Sequence, residues 1–207
     1  MIIENLVTSG TFSLDGGDWA VDNNVWLIGD GDEVIVIDAA HDAAAIAEAI
    51  GDRRVSAIVC THAHNDHINA AAELARGTGA PILLHPADQP LWDMVYGPDA
   101  IYKPLADGQR ITVAGSELHV IHTPGHAPGA VCLHAPESKA LFSGDTLFQG
   151  GPGATGRSFS SFDTIIDSLR HRILSLPEDT VVNTGHGEST TIGAEAPHLD
   201  EWIRRGH

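Results

Sequence analysis

Cysteine is nearly absent from this chain: only Cys60 and Cys132 occur among 207 residues, each inside an apolar run. Two such thiols exclude a disulfide-built scaffold and suggest buried free cysteines in a reducing cytoplasm. Basic residues are also few. Eleven Lys and Arg stand against 28 Asp and Glu, a formal net charge of -17. That balance disfavours nucleic acid and anionic membrane surfaces as partners, because a phosphate backbone demands a basic face. No uninterrupted apolar stretch is long enough to span a bilayer. The opening MIIENLVTSG lacks a basic segment ahead of an apolar run, so no secretory signal is expected. Repeats and low-complexity linkers are missing too. The expectation is a soluble cytoplasmic protein, with nothing in the sequence to set its oligomeric state.

What is present is sufficient for a folded core. Hydrophobic residues make up 43% of the chain, and its length suits a single domain over 1–207. The pattern alternates strands and helices in the first half. Short strands with tight turns are expected early, around Asp15-Gly16-Gly17-Asp18. A hairpin should join Asn24–Ile28 to Val34–Ile37 through Gly29-Asp30-Gly31-Asp32. An alanine-rich helix over 42–50, ended by Gly51, precedes an apolar strand at Val55–Cys60. A helix from Ile68 to about Arg76 and a short strand at Ile82–His85 follow. Strands return at Ile111–Val113, Leu118–Ile121, Ala130–His134, Ala140–Phe142 and Val181–Val182. Amphipathic helices are expected over 162–174 and 195–205. This is an α/β arrangement with helices packed on sheets. Residues 86–110 lack clear periodicity. Their aromatics, including Trp92, Tyr96 and Tyr102, either pack among themselves or form a pocket wall beside the site.

The chemistry is concentrated in VSAIVCTHAHNDHIN, Val55 to Asn69. Residues two apart in an extended segment share a side, so His62 and His64 can converge on one point. Asp66 and His67 fall where the chain turns towards a helix and can aim at a second point nearby. Imidazoles and a carboxylate at this density suit a divalent metal such as zinc. Three later stretches each place a ligand-type residue after a strand and beside glycine. They are His122-Thr123-Pro124-Gly125-His126, Ser143-Gly144-Asp145-Thr146 and Asn183-Thr184-Gly185-His186-Gly187. With the first cluster they offer seven ligands, enough for two ions with open positions, which suits catalysis better than a closed structural site. Asp38, ending the strand before the first helix, either caps that helix or orients a metal-bound histidine.

THAHNDH, HTPGHAPG, FSGDTLF and NTGHG, in that order, resemble the motifs of the metallo-β-lactamase superfamily. Within it the combination is most similar to the glyoxalase II (hydroxyacylglutathione hydrolase) branch. The resemblance runs from about Asn24 to His186 and implies a four-layer αββα sandwich. It also implies that His62, His64 and His126 hold one metal and Asp66, His67 and His186 a second, with Asp145 bridging. By the same resemblance Thr61 and Asp38 are supporting groups, and His122 is not a ligand. Zinc is the expected ion, with iron or manganese as alternatives. The sequence stops about one helix after its last ligand, so the helical C-terminal extension that meets glutathione in that branch is not expected here. Arg157 is similar in placement to a basic residue that meets the thiol's carboxylate, although a surface ion pair would equally explain it.

The implied reaction is hydrolysis of a small-thiol thioester, with metal-bound hydroxide attacking the acyl carbonyl and Asp66 orienting it. A mono-iron persulfide dioxygenase and a lactonase are the competing readings.

Overall fold

The computed structural model describes residues 1–206. It opens on a long antiparallel hairpin, β1 (Ile2–Leu14) paired along its whole length with β2 (Gly17–Gly29). At its turn both Asp15 and Gly16 have positive φ, 52° and 76°. That is the backbone a two-residue hairpin turn of matching twist requires. These strands are far longer than the sequence pattern suggests. Their outer halves are mostly polar and exposed, and the apolar residues there, chiefly Phe12, Leu14, Trp19 and Val21, are too few to mark two long strands.

β3 (Glu33–Ile37) joins β2 antiparallel, and β4 (Arg54–Val59), β5 (Ile82–Leu84) and β6 (Lys103–Pro104) then add in parallel. Parallel neighbours need crossovers. These are α1 (Ala43–Ile50), the pair α2 (Asn65–Ile68) and α3 (Ala71–Thr78), and α4 (Gln89–Tyr96). Asp42 caps α1 by accepting from Ala45 N at 2.9 Å, so Asp38 is left for other work.

The second sheet has the order β14-β13-β10-β9-β8-β7. Its strands are β7 (Arg110–Val113), β8 (Ser116–His122), β9 (Val131–Ala135), β10 (Ala140–Gly144), β13 (Val181–Thr184) and β14 (Thr190–Thr191). Between β10 and β13 lie a small ribbon, β11 (Leu147–Phe148) with β12 (Gly151–Pro152), and the helix α5 (Phe162–Ser168). α5 runs on into a π-helical turn, Leu169–Ile173. The chain closes on α6 (Ile192–Glu195) and α7 (Leu199–Arg205), separated by a tighter turn that contains Pro197.

Side-chain parity sorts these elements into four layers. Val34 and Val36 of β3 face α1 and α3, while Ile35 and Ile37 face the opposite sheet. In β9 and β10, Val131, Leu133, Ala140 and Phe142 meet those residues between the sheets. Cys132 and Leu141 point outward, into a third core with Ile165, Leu169, Ile173 and Trp202. Period-two alternation thus builds three apolar seams and the expected αββα sandwich. Both cysteines are free and buried. Among the described residues, no helix is long and apolar enough to cross a membrane.

Candidate metal centre

The ends of four strands deliver the donors. After β4 the chain bends at Thr61 and His62, is extended at His64 (φ −64°, ψ 143°) and then enters α2, placing Asp66 and His67 in its first turn. The helix therefore begins three residues earlier than the sequence suggests. His126 lies in the turn beyond β8. Asp145 follows β10, and His186 lies two residues beyond β13. β10 and β13 run parallel, with Gly144 opposite Thr184, so these last two donors emerge side by side. Gly185 makes that approach possible: a Cβ there would stand 2.3 Å from Asp145 Oδ1 and 2.8 Å from His67 Cε1.

All seven sequence-predicted ligands converge in one cleft. His64 Nδ1 lies 3.0 Å from His62 Nε2 and 3.0 Å from His126 Nε2. Beside this triangle, His67 Nε2 and His186 Nε2 are 3.2 Å apart, with Asp66 Oδ2 at 3.5 and 3.3 Å from them. Asp145 stands between the two groups. Its Oδ1 is 3.3 Å from His67, and its Oδ2 is 3.5 Å from both His186 and His126. Zinc–nitrogen bonds of about 2.0–2.1 Å in tetrahedral geometry separate donors by roughly 3.3 Å, so this spacing fits two adjacent ions. The satisfaction of polar atoms points the same way. Among the buried side-chain polar atoms without a hydrogen-bond partner among the described residues is Asp145 Oδ1, which faces His67 Nε2 at 3.3 Å. Orphaned buried acceptors are costly unless something positive occupies the site.

The surrounding residues turn each ring. Asp38 Oδ2 accepts from His67 Nδ1 at 2.9 Å and from Thr61 Oγ1 at 2.7 Å, and Oδ1 accepts from Thr61 N at 2.7 Å. Thr61 Oγ1 in turn meets His62 Nδ1 at 3.1 Å. Asp38 therefore orients histidines rather than capping α1. The Nδ1 atoms of His126 and His186 donate to the carbonyls of Ala154 and Asp22, at 2.8 and 2.7 Å. In each of these four rings Nε2 is left to face the centre. Asp38, His62 and His67 also fall within one ligand-sized group. Asp38 engages the far side of His67, however, so this is a bracket and not a third ion site.

Charge divides the two groups. Burial pulls His62 and His126 below the ordinary range and His64 down to about 3, which keeps these rings neutral. Burial also opposes the charge of His186, but Asp145 and Asp66 outweigh it and push that ring up to about 10. His67 rises for the same reason, with Asp38 adding its carboxylate. Asp66 is disfavoured as an anion by burial, yet His67, His186 and Asn23 bring it down to about 2.

The cleft over these donors has a volume of about 240 Å³ and is walled by Phe12, Trp19 and Val21 of the hairpin. Asn65 fastens that hairpin between the ligands, accepting from Ser13 N and donating to Thr11 O, both at 2.8 Å. Arg157 also lines the cleft, its guanidinium 3.7 Å above the Trp19 ring, and it forms no ion pair among the described residues. Other expected substrate contacts lie elsewhere. Trp92 is buried against Tyr96 and Tyr102, at ring separations of 4.5 and 5.2 Å, so these aromatics pack among themselves and do not wall the cleft. His122 stacks on His85 at 4.0 Å and donates to Pro128 O, outside the ligand groups.

Sequence reading missed Phe12, Trp19, Asn23 and Asp88. Fully buried Asp88 accepts from Ala63 N at 2.8 Å and from Gly129 N, tying the His62–His64 segment to the loop after His126. No local pattern marks Asp88, because both partners are distant in sequence. Trp19, just after a Gly/Asp turn, was the one visible clue.

The sequence profile of the metallo-beta-lactamase superfamily matches residues 18–186. The chain belongs to this superfamily. Members that it resembles include the hydroxyacylglutathione hydrolase GloC of Haemophilus influenzae, 32% identical over 85% of this chain and 91% of that protein. The probable metallo-hydrolase YqgX of Bacillus subtilis is 33% identical over 84% of this chain and 88% of its own length. Among solved structures of the superfamily fold, TTHA1623 in a di-iron-bound form superposes with a TM-score of 0.77. That match is at 34% identity, over 85% of this chain and 93% of that one.

Proposed function

We propose that this superfamily member is a glyoxalase II-like thioesterase, hydrolysing thioesters of a small thiol at a two-ion centre. The observation that carries this reading is the full double donor set, His62, His64 and His126 beside Asp66, His67 and His186, with Asp145 facing both. Zinc is the ion proposed, and the similarity to a di-iron-bound structure makes iron the first alternative. When bound, such ions supply Lewis acidity and lower the pKa of water to about 7.

The chain supplies the remaining parts. Asp66, ionised and buried, keeps Oδ1 without a partner and is the group that takes a proton from the attacking water. Phe12, Trp19 and Val21 exclude solvent and hold apolar parts of the substrate. A thiolate leaving group requires little protonation, so no separate acid is assigned. Arg157 is the only Lys or Arg lining the cleft among the described residues. One guanidinium suits one carboxylate. The proposed carrier is therefore less acidic than glutathione, or the enzyme discriminates weakly among thiols, with the deficit appearing in KM more than in kcat.

The test compares one acyl group on glutathione and on neutral or sugar-based thiols, with metal content measured on the same preparation. A low KM and strong preference for glutathione overturns the carrier assignment. Oxygen uptake on a thiol persulfide by a one-iron preparation, without thioester hydrolysis, replaces the reading with a persulfide dioxygenase. The complete second donor set favours the hydrolase.

A further inference from the structure

Two non-glycine residues near the centre, Asp38 (φ 54°) and His41, hold a left-handed backbone conformation. His41, just beyond β3, has φ of 61°, in the left-handed region that favours glycine. Such outliers persist where surrounding contacts fix them, and here the contacts lead to Asp66. The Oδ1 of Asn69 accepts from His41 N at 2.6 Å, which turns the Asn69 amide so that Nδ2 meets His41 Nδ1 at 3.0 Å. An NH₂ group can only donate, so Nδ1 accepts and the ring proton sits on Nε2. Nε2 then donates to Asn23 Oδ1 at 2.9 Å, and Asn23 Nδ2 donates to Asp66 Oδ2 at 3.0 Å. Each donor and acceptor in this row is fixed by the one before it, starting from a backbone N–H. Burial keeps His41 below its ordinary range and so favours the neutral ring that the row requires. Asn23 is fully buried, and among the described residues its side chain hydrogen-bonds these two partners only.

We propose that Asn69, His41 and Asn23 are positioning residues that fix the rotation of the Asp66 carboxylate. They commit Oδ2 to the second metal position and leave Oδ1 unbonded. This rests on the two-ion reading above. Without the row the carboxylate can turn about its terminal torsion and exchange its oxygens. Among the described residues no hydrogen bond joins the row to the set at the first position, His62, His64 and His126, which should not respond to it.

The test withdraws zinc from the loaded full-length chain with a chromogenic chelator. In His41→Gly the backbone N–H to Asn69 remains and the left-handed conformation becomes easy, so the metal-stripped chain should melt at or above the wild-type temperature. The second zinc should nevertheless bind about 10- to 100-fold more weakly, with the first unchanged. His41→Gln, which restores a donor towards Asn23, should recover much of that affinity. The proposal is overturned if His41→Gly holds both ions as tightly as wild type. It is equally overturned if both ions weaken together alongside a lower melting temperature, which is the mark of a merely structural residue. A wild-type chain that holds a single zinc overturns the two-ion reading itself, and shows this without any variant.

Discussion

Replacing Asp38 by asparagine should weaken metal binding at both positions while leaving the fold standing. As a carboxylate, Asp38 accepts three hydrogen bonds, from Thr61 N, Thr61 Oγ1 and His67 Nδ1. An amide can keep Oδ1 on Thr61 N, but its Nδ2 must then donate where Oδ2 accepted. One hydrogen goes to His67 Nδ1, which moves the proton of that ring to Nε2, facing the second position. The other goes to Thr61 Oγ1, whose own hydrogen turns to His62 Nδ1, 3.1 Å away. That moves the His62 proton to Nε2 as well, facing the first position. One substitution thus inverts one histidine at each ion. Supporting contacts of this kind are worth about 10- to 100-fold in affinity, or ~1.4–2.8 kcal/mol per ion. The number of hydrogen bonds is unchanged, and weakening charged bonds to neutral ones costs about 1 kcal/mol. For a chain of this size that lowers Tm by about 2–4 °C. Chelator competition on the loaded protein and thermal melts of the stripped protein measure both quantities. Wild-type affinity at both positions would refute the tautomer argument. Loss at the second position alone would show that Thr61 does not relay the change to His62.

Three further outcomes are expected. Asp145→Ala should lose metal and activity together, since that carboxylate faces His67, His126 and His186, whereas His122→Ala should keep its metal content by elemental analysis. Gly185→Ala drives a methyl into Asp145 Oδ1 and His67; second-ion binding should fall at least tenfold, about the cost of disturbing a supporting contact, as read by zinc titration. The metal-free chain should lose stability as pH rises. The folded pKa of His186, about 10, lies above its ordinary 6.5, so its contribution is full below pH 6.5 and is lost as pH climbs through 10. Melts across that range test the sign, and calorimetry in buffers of different ionisation enthalpy should detect proton release on metal loading at neutral pH.

The donors were legible because their chemistry is local. A strand end, a glycine and a histidine sit within a few residues of each other, and 62–67, 126, 145 and 186 could be picked out on that basis. The layers were legible where alternation was apolar, as in β3, β9 and β10. The length of the hairpin was not, because its outer half carries too few apolar residues to mark two long strands, although its Phe12 and Trp19 form the cleft wall. The orienting groups were also hidden. Asn23 and Asp66 are 43 residues apart, and His186 and Asp22 are 164 apart; only the docked sheets bring them together. For the 86–110 aromatics two readings stood open, and the packed one holds: Trp92, with Tyr96 and Tyr102 against it, joins the core under α1 and α3.

The contact between His67 and His186 spans 119 residues, and this bears on how the protein is made. At about 5–20 residues per second of synthesis, the first four donors leave the ribosome on the order of ten seconds before the last one exists. During that interval His62, His64, Asp66 and His67 belong to a chain whose second sheet is still absent. Metal captured then would be held by a partial set, in a geometry with nothing to orient His186 or Asp145. Loading after release, once β13 has docked beside β10, meets the finished arrangement instead. Cells producing this chain in excess zinc should therefore yield more misassembled protein than cells supplied with zinc after synthesis stops.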